Sequence, residues 1–85
     1  MTAKEIELRS IEMLKGSNRV YFGIITLGRK MGSLSKEDVL KNFDLHRGEV
    51  VALKESLPKE HADLQSHYQN IIDEIDEMRK TIDEL

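Results

Sequence analysis

The last third of the chain carries its most regular pattern. Leu64, Tyr68, Ile71, Ile75, Met78, Ile82 and Leu85 are spaced 4, 3, 4, 3, 4 and 3 residues apart. That is the apolar seam of a long helix, with Tyr68, Ile75 and Ile82 at a positions and Leu64, Ile71, Met78 and Leu85 at d positions. β-branched residues at two of three a positions, with Leu or Met at most d positions, favour a two-stranded parallel pairing. In such a pair Glu74 at g and Arg79 at the following e would form an interchain ion pair. The seam is therefore an expected interface, and its plainer use is packing against the rest of the same chain.

Two further stripes precede it. Ile6, Met13, Val20, Ile24, Leu27 and Met31 form one register, with Ser10 and Ser17 in the two intervening heptad places. Val39, Phe43, His46, Val50, Leu53 and Leu57 form another, spaced 4, 3, 4, 3 and 4. Local signals divide them. Thr2 and Glu5 have capping-box spacing, which starts a helix at Ala3. Gly32 suits a helix C-cap, Ser35 an N-cap, and Glu37 and Asp38 complement the next helix dipole. Pro58 disfavours helical geometry at Leu57 and suits the first position of a new helix. The continuous register argues for one first helix, and Gly16, Ser17 and Asn18 are the alternative, a cluster that could end one helix and begin another. "VYFGIITLG" has strand-like content but no partner strand elsewhere, so it is read as helix.

The pattern predicts an all-α single domain, residues 1–85, built as a three-helix bundle or helical hairpin with a coiled-coil-like C-terminal helix and self-associating. The expected helices cover about residues 3–30, 36–56 and 58–85.

"DVLKNFDLHRGEVVALKESLP", residues 38–58, admits a second reading. Leu40, Phe43, Leu45, Val50 and Leu53 fall where a helix-turn-helix would bury them, with Asp44 to His46 as the turn. In these apolar placements it resembles the helix-turn-helix of small repressors, over about 20 of the 85 residues. It departs from that pattern at Asp44, where glycine usually stands, and at Leu40, where a small residue does. The resemblance implies a DNA-binding regulator with residues 36–57 as its reading head. Arg47, Glu49, Val51 and Lys54 would then face the bases, Arg47 reading guanine and Lys54 meeting phosphate, with Lys36 and Lys41 holding the backbone. The single-helix stripe shares its periodicity with the segments on either side, which favours one long helix.

Charge changes this picture little. The net charge is −3, with 11 Lys/Arg against 8 Asp/Glu in residues 1–59 and 2 against 8 in residues 60–85. No uniform basic footprint for nucleic acid results. Asp73, Glu74, Asp76, Glu77, Asp83 and Glu84 form an acidic face, read as solvated helix surface, with a basic-partner or DNA-mimicking face as the alternative.

No catalytic constellation emerges. Without cysteine there is no thiol nucleophile, and His46, His61 and His67 lack zinc-ligand spacing. Neither a P-loop nor a dinucleotide fingerprint occurs. Carboxylate pairs such as Asp73 and Asp76 sit on a face that should be exposed, whereas catalytic pairs need a desolvated cleft. The expectation is a non-enzyme with no catalytic residues, cofactor or metal. Its partners are expected to be further copies of itself, a dimer first, and an unidentified protein, with nucleic acid as the minority reading and no membrane. The N-terminus lacks an apolar signal-peptide region and no stretch reaches 18 apolar residues, so a cytoplasmic location is expected.

Overall fold

The computed structural model of the chain describes residues 2–85. Three helices account for nearly all of it: α1, Ala3–Lys30; α2, Lys36–Glu55; and α3, Asp63–Glu84. A single 3₁₀ turn, Lys59–His61, lies between α2 and α3.

The helix ends obey local capping chemistry. Thr2 Oγ1 accepts from the Glu5 amide at 3.1 Å, and Ser35 Oγ accepts from the Asp38 amide at 3.4 Å. At the end of α1 the Gly32 amide donates to the Arg29 carbonyl at 3.1 Å and the Ser33 amide to the Gly28 carbonyl at 2.9 Å. That double closure is a Schellman motif. It needs a left-handed residue, and Gly32 supplies it at φ 74°.

The first two helices run unbroken as expected, two alternative breaks do not form, and one boundary is corrected. First, α1 does not break at Gly16–Asn18. Ile11 and Ile25, on either side of that cluster, are both buried on the same helix face. Between them Asn18 Oδ1 lies 2.8 Å from His46 Nε2, a contact that a break would lose. Secondly, no turn forms at Asp44–His46, because α2 is continuous from Lys36 to Glu55. Asp44 and Arg47, one helical turn apart, both reach α3: Arg79 Nε donates to Asp44 Oδ1 at 2.7 Å, and Arg47 Nε to Asp76 Oδ1 at 2.8 Å. Thirdly, α3 starts at Asp63 rather than Pro58. Pro58, extended at ψ 152°, opens the 3₁₀ turn instead, its carbonyl accepting from the His61 amide at 2.9 Å.

α3 is the central element, packing on α2 along most of its length and on α1 more sparingly. Leu64, Tyr68, Ile71, Ile72, Ile75, Met78 and Ile82 are buried from α3; Val39, Phe43 and Val50 join them from α2, and Ile11 and Ile25 from α1. Burying one such side chain stabilises the fold by roughly 1.5–3 kcal/mol. α1 and α2 meet at Tyr21 and Phe43, whose ring centroids are 6.3 Å apart. The Cα trace measures 45 × 21 × 15 Å, an elongated body. One side of α1 is left uncovered.

Candidate interaction surface

α1 has two apolar faces, and the structure buries the less regular of them. Turned inward are Leu8, Ile11, Leu14, Phe22 and Ile25, interrupted by Lys15 and Asn18. Turned outward are Ile6, Met13, Val20, Ile24, Leu27 and Met31, the whole register read from the sequence. Their exposure runs from 53% at Ile6 to 73% at Met13, and Tyr21 beside them is 42% exposed. Singly exposed apolar residues are ordinary, but six in one register of a helix, with Tyr21 at their edge, are not.

The shape of this face follows from its small residues. Gly16 and Ser17 leave a shallow groove of about 660 Å³ bordered by Met13, Val20, Tyr21 and Ile24. A Cβ placed on Gly16 or Gly23 would meet nothing within 4 Å, so neither glycine is demanded by packing inside the chain. Gly28 is different: a Cβ there would lie 2.4 Å from Leu34 Cδ1, which folds back over the helix end. A second groove of about 660 Å³ runs between α1 and α2, lined by Leu14, Asn18, Tyr21, Leu45, His46 and Glu49 among others. Leu45, 62% exposed, is covered by neither a turn nor another helix and forms the rim of this groove.

The middle of the outward face carries little charge. Between Met13 and Gly28 the sequence holds two charges, Lys15 and Arg19. Arg19 folds away toward α3, its Nε donating to Glu74 Oε1 at 2.8 Å. That pairing raises the Arg19 pKa, the hydrogen bond first and the neighbouring carboxylate charge second.

The residues expected to act elsewhere have other places. Of the C-terminal seam, Leu64, Tyr68, Ile71, Ile75, Met78 and Ile82 are no more than 7% exposed and form the chain's own core, leaving only Leu85 open to solvent at 49%. The interface expected there is thus occupied within the chain. The interchain pair expected between Glu74 and Arg79 is replaced by two intrachain pairs, Glu74 with Arg19 and Arg79 with Asp44. Of the four basic residues assigned to DNA, Lys36 lies 3.6 Å from Asp83, Arg47 pairs with Asp76, and Lys54 Nζ donates to Gln69 Oε1 at 2.7 Å. Lys41 is exposed. With α2 unbroken and three of the four turned to α3, they do not form a helix-turn-helix reading head.

The opposite charges of the two ends of the chain meet inside it. Lys4, Arg19, Lys36 and Arg47 reach Asp63, Glu74, Asp83 and Asp76 respectively, so much of the acidic face of α3 is flanked by cations of α1 and α2. Hydrogen bonding to Arg79 holds the Asp44 carboxyl below its usual range, and Lys4 does the same for Asp63. Burial pushes the Tyr68 phenol up to about 12, helped by its 2.5 Å hydrogen bond to Glu7 Oε1. Tyr68 donates in that bond, and it ties α3 to α1. Among the described residues no three His, Asp or Glu side chains gather as a metal site, and no helix is long and apolar enough to cross a membrane.

Comparison with protein-family models, curated proteins and solved structures finds no match for this chain. The outward α1 surface was visible in the sequence as a stripe, though a stripe alone does not say which side of a helix is buried. The inner side of α1 contains Asn18 and Lys15, so its polarity did not mark it as the side the fold buries.

Proposed function

We propose that the chain is a non-enzymatic helical interaction module, acting as an adaptor, inhibitor, chaperone-like or regulatory subunit through the outward face of α1. The observation that carries this reading is the register of six exposed apolar side chains from Ile6 to Met31, with Tyr21 at their edge. Together they present on the order of 800–900 Å² of surface, well beyond the few hundred Å² usual for an incidental patch. Its composition supports the same reading: Tyr and Met are enriched in interface cores, and charge is depleted there.

Bait capture from the native source tests the proposal. Wild-type chain and a Val20→Asp variant are compared after circular dichroism confirms equal helicity. Proteins, including further copies of the chain, should be retained by wild type and lost from the variant. Equal retention on both baits refutes the assignment to this face.

A further inference from the structure

We infer that the occupant of the α1 face is a second copy of this chain, its α1 running antiparallel to the first. The inference rests on the interaction reading above and specifies the partner.

Area is the first argument. The exposed row on one chain is large enough to supply much of the roughly 800 Å² that each partner contributes to an interface of standard size. A marginally stable 85-residue domain gains directly from covering it.

Shape is the second. An antiparallel pair with its twofold axis beside Asn18 and Arg19 brings Ile6 opposite Met31, Ser10 opposite Leu27, Met13 opposite Ile24 and Ser17 opposite Val20. Every small residue of the register then meets a bulky one, as close packing requires. The parallel alternative stacks Ser10 on Ser10 and Ser17 on Ser17, leaving voids at two layers. Gly16 and Gly23 fit the antiparallel arrangement as well. They flank the seam, approach each other across the axis and admit a backbone closely, and nothing within 4 Å in their own chain requires glycine.

Charge is the third. Glu5, Arg9 and Glu12 sit on neighbouring turns at one end of the face and sum to a net negative charge, while Lys30 stands at the other end. Antiparallel pairing sets each cluster against a lysine. Parallel pairing sets each against its own copy and lysine against lysine.

Sedimentation combined with cysteine cross-linking tests this, because the chain has no cysteine of its own. At about 100 µM, above the micromolar range expected for interfaces of this size, wild type should sediment at twice the 9.8 kDa chain mass. Val20→Glu should raise the dimer dissociation constant by on the order of 100-fold or more at unchanged helicity, because it buries two unpaired charges per dimer. Ile24→Asn provides a second, uncharged disruption with the same expected direction. A mixture of Ser10→Cys and Leu27→Cys chains should form the mixed disulfide, and neither variant alone should form a disulfide. In an antiparallel pair the two Ser10 positions lie roughly 25 Å apart, beyond disulfide reach. A monomer at that concentration, a dimer untouched by both substitutions, or a Ser10→Cys homodisulfide overturns the inference. A wild-type monomer that still captures a protein lost by Val20→Asp overturns this inference alone and leaves the interaction reading standing.

Discussion

Ile75 and Ile24 both occupy heptad stripes, yet one is 1% exposed and the other 62%. Truncating each to alanine therefore separates core from surface in a single comparison. For Ile75→Ala the lost transfer free energy plus the cavity left behind should cost about 3 kcal/mol, within the 2–5 kcal/mol usual for such changes. A domain of this size has roughly 4–13 kcal/mol of total stability, so the loss should lower the melting temperature by about 12–24 °C. Ile24→Ala loses only the buried third of its side chain, about 0.5–1 kcal/mol, and regains part of that through the helix propensity of alanine. Its net effect on the isolated chain should stay within about 0.5 kcal/mol. Urea unfolding followed by circular dichroism, at nanomolar and at tens of micromolar chain, provides the assay. The Ile75→Ala penalty should appear at both concentrations with an unchanged m-value, whereas an Ile24→Ala penalty should grow only at the higher one. A loss above about 2 kcal/mol for Ile24→Ala at nanomolar chain would refute the orientation of α1.

Gly23→Ala should stabilise the isolated chain by up to about 1 kcal/mol, since the new methyl group meets nothing, while weakening self-association; thermal melts and sedimentation read the two effects separately. In a Tyr21→Phe background the remaining tyrosine, Tyr68, should ionise near 12 by ultraviolet absorbance. Because that value is raised, the stability it contributes is complete below pH 10 and disappears as pH climbs toward 12, and Glu7→Gln should lower the midpoint. Asp44 and Asp63 are depressed below 3.8, so their contribution is present above that pH and lost on acidification beneath it. Helicity followed against pH should accordingly start to fall in that acid range, and Asp44→Asn should remove part of the dependence.

Helix boundaries at Thr2, Gly32 and Ser35 were legible because capping is settled by residues three or four apart. The α3 stripe was legible as a helix face for the same local reason. What covers it was not, because periodicity defines a face without naming its neighbour. α1 shows the point from the other side: its cleaner stripe faces solvent, and its inner face tolerates Asn18 only because His46, 28 positions later, lies beside it. The continuity of α2 likewise depends on distant partners. Asp44 meets Arg79 from 35 positions away, a contact that no pattern within residues 38–58 contains. Pro58 was legible as a restart, whereas the 3₁₀ turn it opens is too short for periodicity to resolve. Basic and acidic halves were legible as an asymmetry, and only the packing of α3 against α1 and α2 turned that asymmetry into intrachain ion pairs.

The central claim is that the α3 seam is spent inside the chain and the α1 seam is free to bind. Paramagnetic relaxation of isoleucine methyl groups by a soluble probe tests both halves in one spectrum. At low micromolar concentration the methyls of Ile71, Ile72, Ile75 and Ile82 should be protected and those of Ile6 and Ile24 strongly relaxed. On concentration, Ile6 and Ile24 should become protected while the α3 methyls stay unchanged. Strong relaxation of Ile75 and Ile82 at low concentration, with Ile24 protected throughout, would contradict the account.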